Sequence, residues 1–166
     1  LDEGERFVAP DRIEQTYPNG LVARNDTLWV GTGEHLYRYA DTTLTAVESN
    51  TNLQANYYIT LSLDPNDRLL VATDRGIFRQ DGRRFDQLPG TDSLVAYDVL
   101  ATSAQRLWIG AENGLYRHEA GRTRLFTSQL KNVRVDAILR DREQNLWVGT
   151  DGNGLYKNTP TPFDHF

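Results

Sequence analysis

Three groups of residues in this 166-residue chain have the chemistry to bind or transform something. Three histidines, His35, His118 and His165, could ligate a metal. The carboxylates Asp64 and Asp141 could hold a calcium ion. Tyr57 and Tyr58 with Arg134 could grip a polar ligand by stacking and by bidentate hydrogen bonding. The histidines form no short-range ligand pair, so a zinc site would need three distant segments to converge. Around Asp64 and Asp141 there is no alternating ligand loop ending in a bidentate Glu, so capping of a turn is the expected role. No Gly-x-Ser-x-Gly elbow or phosphate-cradling glycine loop occurs, and Gly31-Thr32-Gly33 is only the end of an apolar segment. With no cysteine the chain has neither a thiolate nucleophile nor a disulfide framework. No metal or cofactor is expected, and no catalytic residue can be assigned. Paired acids from separate segments could still meet, as in many glycosidases, and spacing alone does not exclude them.

What positions these residues is a repeat. Thr27–Thr32 reads TLWVGT, Arg68–Thr73 RLLVAT, Arg106–Ala111 RLWIGA and Asn145–Thr150 NLWVGT, which aligns Trp29, Leu70, Trp108 and Trp147 at spacings of 41, 38 and 39 residues. A second echo follows in register: Leu36-Tyr37, Ile77-Phe78, Leu115-Tyr116 and Leu155-Tyr156. An apolar segment precedes each TLWVGT-like run, as in Ile59–Leu63, Tyr97–Leu100 and Val135–Leu139. A shorter one follows each Leu-Tyr pair: Leu44–Val47, Phe85–Leu88, Leu125-Phe126 and Phe163–Phe166. Each copy therefore holds four short strands.

The connections suit that count. Asp64-Pro65-Asn66-Asp67 is a Pro-containing turn, Asp81-Gly82 and Asn113-Gly114 are hairpin dipeptides, and Gly76 and Gly154 can take positive φ between the second and third strands. No helical periodicity extends over ten residues, so the chain is read as all-β with antiparallel strands. The second strand is almost continuously apolar, the pattern of a strand covered on both faces. A β-propeller of four-stranded antiparallel blades meets that requirement better than a sandwich or barrel. The three Trp residues could be carbohydrate platforms, but their shared repeat position makes them blade-to-blade core. The repeated Gly31, Gly110 and Gly149, with Ala72 in the second copy, mark close approach by a neighbouring blade. Residues 1–166 form one propeller domain or a fragment of one, with repeats at about 19–49, 56–90, 94–128 and 133–166. Residues 5–9 would be the outermost strand of a preceding or closing blade, since Phe7 lies 22 residues before Trp29 and Phe85 lies 23 before Trp108.

A net charge of −5 and a pI near 5.2 argue against a nucleic-acid surface. The composition, 39% hydrophobic and 25% charged, is that of a globular domain able to bury a core. No apolar run approaches the roughly 20 residues of a membrane span, and no signal-type stretch opens the chain.

The stretch Ile138–Tyr156, ILRDREQNLWVGTDGNGLY, resembles the two-component regulator propeller repeat: an apolar strand, Asp, a turn, Asn-Leu-Trp-Ile-Gly-Thr, then Gly-Gly-Leu and an aromatic. The likeness covers nearly the whole chain, is strongest in the last copy, and weakens where Leu70 and Ala72 replace Trp and Gly and where Glu34-His35 replaces the Gly pair. It implies an extracytoplasmic, periplasmic sensor region of a bacterial membrane-bound regulator, ahead of a membrane span and a histidine kinase or diguanylate cyclase. It also implies about seven blades per ring, so four copies would be part of one, or would close or assemble through open blade edges as a homo-oligomer.

In a propeller, the loops entering each innermost strand and the turns between second and third strands gather on one face. Tyr57, Tyr58, Arg134, His35, Arg75, Asn113 and Asn153 lie in those segments and are the expected ligand contacts. An oligosaccharide or peptide suits them. A protein-interaction scaffold and a carbohydrate-active or lyase propeller are the alternative functions.

Overall fold

The computed structural model describes residues 17–33, 35–47, 53, 56 and 60–159. Its strands form four antiparallel sheets, each in simple sequence order. Blade 1 contains β1 (Pro18–Arg24), β2 (Thr27–Thr32), β3 (Leu36–Ala40) and β4 (Thr43–Ala46). Blade 2 contains β5 (Thr60–Leu63), β6 (Leu69–Thr73), β7 (Gly76–Asp81) and β8 (Arg84–Gln87). Blade 3 contains β9 (Ala96–Ala101), β10 (Arg106–Ala111), β11 (Gly114–Glu119) and β12 (Arg122–Leu125). Blade 4 contains β13 (Val135–Arg140), β14 (Leu146–Thr150) and β15 (Gly154–Asn158). The strand expected at Phe163–Phe166 and the one at residues 5–9 lie outside the described residues, as does His165. A 3-10 turn, Ser128–Leu130, leads from blade 3 to blade 4.

The innermost strands pack in chain order, β1 on β5, β5 on β9 and β9 on β13, so the blades fan around a common axis. Between blades 1 and 2 lie Trp29, Leu36, Leu61, Leu69 and Val71; between blades 2 and 3 lie Leu70, Ile77, Ala96, Val99 and Ile109. Leu115, Val135, Ile138, Leu146 and Val148 fill the space between blades 3 and 4. All of β6 is buried, because Leu69 and Val71 face blade 1 while Leu70 and Ala72 face blade 3. Each fully buried Leu, Ile or Val contributes about 1.5–3 kcal/mol.

The repeated glycine is explained at Gly110, where an added Cβ would stand 2.8 Å from Val135 Cγ1 and from its carbonyl oxygen. Blade 4 can seat on blade 3 only because that side chain is absent. The Trp positions divide. Trp29 is buried between blades 1 and 2, and Trp108 is half-buried against Phe126, edge-on at 4.6 Å. Trp147 departs from the interblade core expected of it: it lies half-buried on the outward side of blade 4, its indole N–H donating to Asp141 Oδ2 at 2.8 Å.

Candidate ligand-binding face

The threonine that ends three of the TLWVGT-like runs builds the turn that follows it. Thr32, Thr73 and Thr150 donate their hydroxyls to the carbonyls of His35, Gly76 and Gly154, at 3.0, 3.0 and 2.6 Å. Gly76 needs its φ of +99° there, and the buried Thr91 closes over it, accepting from the Ile77 amide at 3.1 Å and donating to the Leu88 carbonyl at 2.8 Å. Loops entering the innermost strands are then laced to these turns by backbone. The Glu112 amide donates to the Val95 carbonyl at 3.0 Å, Asn132 to Asn113 at 2.9 Å and Asp151 to Arg134 at 3.0 Å. The two kinds of segment share one face, as the repeat logic requires.

On that face one polar cluster joins blades 3 and 4. The Arg134 guanidinium lies 4.2 Å from the centre of the Tyr97 ring. Its Nε donates to Asp136 Oδ1 at 2.7 Å, and its Nη1 stands 3.6 Å from Asp151 Oδ2. The Tyr97 hydroxyl donates to Glu112 Oε2 at 2.5 Å. The hydrogen bond to Asp136, aided by Tyr97 and Asp151, holds the Arg134 guanidinium above its ordinary pKa. Tyr97 and Asp136 occupy the same place in their blades, at the register shift opposite Gly110/Ala111 and Gly149/Thr150. Such bulges re-aim a side chain out of a strand's regular alternation.

Of the residues expected from sequence, Arg134 stands inside this cluster and Asn113 beside its Glu112. His35, Arg75 and Asn153 sit exposed at the second-to-third turns of blades 1, 2 and 4, where the Arg75 amide donates to Thr73 Oγ1 at 3.0 Å and Asn153 Nδ2 to the Asp151 carbonyl at 3.3 Å. Tyr57 and Tyr58 lie outside the described residues; the adjoining Asn56 donates through its amide and side chain to Asp74, at 3.0 and 3.2 Å. Sequence spacing placed Glu112 and Asp151 in the turns of this face without choosing them as contacts, and it did not single out Tyr97 or Asp136. The clue was available in the alignment, where Tyr97 and Asp136 fall at the same offset before their Trp-bearing strands.

The opposite turns are occupied by their own carboxylates. Asp64 accepts from the Asn66 and Arg68 amides at 2.9 and 3.0 Å and from Arg68 Nε at 2.8 Å. Asp141 accepts from the Asn145 amide and side chain, both at 2.8 Å, as well as from Trp147. Burial raises both carboxyls, but these hydrogen bonds outweigh it and leave each below the ordinary carboxylate pKa. Both residues therefore cap turns. In blade 1 the equivalent position is Ala23, and the buried Trp29 indole N–H finds no acceptor among the described residues. An open cleft of about 320 Å³ lies on this side between Arg24, Asn66, Arg68 and Asp81. Arg24 spans it, donating to Gln80 Oε1 at 2.6 Å and to the Asp67 carbonyl at 3.1 Å. Among the described residues no group of three or more His, Cys, Asp or Glu could hold a metal.

Residues 129–152 match the two component regulator propeller family. No curated protein matches the chain. Among solved structures, the extracellular domain of BT4673 from B. thetaiotaomicron, assigned to the one component systems, is 26% identical with a TM-score of 0.73, over 86% of this chain and 21% of that one. The extracellular domain of BT3049 from the same organism, assigned to the hybrid two component systems, is 21% identical with a TM-score of 0.73, over 92% of this chain and 22% of that one. The computationally designed protein Ika4 shares the fold at 11% identity and a TM-score of 0.67, over 95% of this chain and 99% of its own. This chain thus spans about a fifth of the two extracellular domains it resembles. It is a run of β-propeller blades, of which the stretch 129–152 matches the two component regulator propeller repeat.

Proposed function

We propose that the chain is part of the extracytoplasmic sensor region of a bacterial signalling regulator, and that it binds a polar ligand without catalysing a reaction. The cluster of Tyr97, Glu112, Arg134 and Asp151 carries this reading, because a ligand placed there touches two blades at once. The likeness to extracellular domains of one- and two-component systems supports the sensor role. A half-buried aromatic ring beside a guanidinium and carboxylates suits hydroxyl- and carboxylate-bearing ligands, so an oligosaccharide or a peptide is the class proposed. His35, Arg75, Asn113 and Asn153 lie on the same face and widen it, and Tyr57 and Tyr58 are proposed to complete it.

Titration calorimetry of the chain against a panel of oligosaccharides and short acidic peptides tests this. Arg134→Ala and Tyr97→Ala should each weaken binding at least tenfold, while Gln144→Ala, on the opposite turns, should leave it unchanged. The reverse pattern would mean that the wrong face was chosen. Hydrolytic or lyase turnover that disappears on changing Glu112 or Asp136 would show an enzyme instead.

A further inference from the structure

A closed circuit of contacts spans the junction of blades 3 and 4. The Arg134 guanidinium lies over the Tyr97 ring, and its Nε donates to Asp136. Tyr97 is followed in β9 by Asp98, whose Oδ2 accepts from the Ile138 amide at 2.7 Å, and Ile138 stands two residues beyond Asp136 in β13. Asp98 thus supplies the hydrogen bond that joins the two innermost strands within the circuit. The Val99 amide, donating to its Oδ1 at 2.8 Å, fixes the carboxylate against its own strand.

The strand itself does not need an acid at this place. Asp98 pairs with Gly110, and the residues that pair with the matching Gly31, Ala72 and Gly149 are Gly20, Thr60 and Ala137. The three other blades build the same strand with an uncharged residue. The carboxylate also works against its surroundings, since burial raises its pKa more than the two amides lower it. A charge that the repeat does not ask for and that burial opposes is the mark of a site more than of the scaffold. Its bond to Ile138 is flanked by the two register shifts on which the cluster depends, with Tyr97 one residue before Asp98 and Asp136 two before Ile138.

We propose that Asp98 is the positioning residue of the Arg134 site, fixing β9 against β13 at the separation where the Tyr97 ring faces the guanidinium. A binding constellation has to be held to within about 0.5 Å by the groups behind it. The bridge from Asp98 to Ile138 does this for the strands, as Asp136 does for the guanidinium. For its consequence this rests on the reading of the cluster as a ligand site, though not for its geometry.

Nitrogen–proton correlation spectra of the folded chain read that geometry through the Arg134 Nε–Hε resonance, which the ring current of Tyr97 displaces. Arg134→Lys identifies the resonance by its loss, and Tyr97→Leu marks where it falls without the ring. In Asp98→Ala it should move at least half of the way to the Tyr97→Leu position. In Val71→Ala, which loosens the buried contact between blades 1 and 2, it should stay in place, whereas a mere loss of stability would treat the two variants alike. Asp98→Ser, which keeps one oxygen where two amides need two, takes the place of Asp98→Ala if the latter fails to fold. Any member of the calorimetry panel that binds should lose about tenfold in affinity for Asp98→Ala, the scale on which supporting hydrogen bonds act behind metal ligands. A panel without a binder retires the ligand reading and leaves the resonance to decide the role of Asp98. A resonance unmoved in folded Asp98→Ala, or moved as far in Val71→Ala, overturns the proposal.

Discussion

Asp98 on β9 offers the sharpest test of how the blades are joined. Its Oδ1 accepts from the Val99 amide at 2.8 Å and its Oδ2 from the Ile138 amide on β13 at 2.7 Å, so one carboxylate ties two innermost strands together. An amide bond to a charged acceptor contributes about 1.5–3 kcal/mol, and part of that is offset here by the desolvation of the carboxylate. Burial outweighs the two amides and holds the Asp98 carboxyl above its ordinary pKa. Asp98→Ala should therefore cost about 2 kcal/mol, a fall in melting temperature of about 4–8 °C for a chain of this length. Asp98→Asn should lose about half of that, because its carboxamide oxygen can serve one amide while its NH₂ opposes the other. The raised pKa also fixes a pH dependence. The folded state holds a proton that the unfolded state has released, so Asp98 loses stabilising effect as pH rises from 3.8 through its folded pKa. The advantage of wild type over Asp98→Asn should shrink across that window in urea titrations. An Asp98→Ala protein melting like wild type, or an advantage that grows with pH, would refute the account of this strand junction.

Three further outcomes follow from the same packing. In dilute protein Trp108→Ala should cost about 3 kcal/mol and Trp147→Ala less than half as much, judged by urea midpoints, since only Trp108 has a blade against it. Gly110→Ala should cost about 1–3 kcal/mol in the same assay, as the added methyl meets the Val135 backbone. His118 is buried, and its pKa is lowered first by desolvation and then by the Arg79 charge. Its stabilising effect, present above the unfolded value of 6.5, should be lost as pH falls from 6.5 through its lower folded pKa, with that slope absent from His118→Gln.

Repetition made the fold readable. Two echoes in fixed register located each second and third strand, and the turn residues placed the hairpins between them. The role of Asp64 and Asp141 was also legible, because a carboxylate immediately before a turn has that turn's backbone amides within reach. What a repeat cannot reveal is how its neighbour packs: Trp108 and Trp147 hold the same repeat position, yet Trp108 packs against Phe126 and Trp147 bonds to Asp141 of its own blade. The cluster around Arg134 was hidden for a different reason. Strict alternation sends Tyr97 and Asp136 to a blade face, and the register shift that turns them toward Arg134 depends on pairing across the strand, which spacing does not encode. His118 was weighed only as a metal ligand. Its actual contact, an Nδ1 donor bond at 2.9 Å to Thr123, follows from Thr123 giving its own proton to the Pro89 carbonyl, and that requires two blades to be in place.

The two faces of the array spend their polar groups differently, and the difference bears on which one can recognise a ligand. On the side of Asp64 and Asp141 the acids are held by two or three donors within their own turns, and Arg24 is committed to a short bond with Gln80. Displacing the donors of Asp64, whose side chain is fully covered, would leave a buried group unpaired, at a cost of about 1–3 kcal/mol. On the other side the turns are closed by threonine hydroxyls and by the backbone bonds of Glu112, Asn132 and Asp151, so the Arg134 and Asp151 side chains are not needed to close them. Arg134 and Asp151 are 36% and 63% exposed and stand 3.6 Å apart, a pairing of the kind that contributes about 0–1 kcal/mol. A ligand carboxylate or hydroxyl can exchange for Asp151 at little expense, while Asp136 and the Tyr97 ring keep the guanidinium aimed. Orientation without commitment is what a recognition site requires, and among the described residues the Arg134 cluster combines the two across a blade junction.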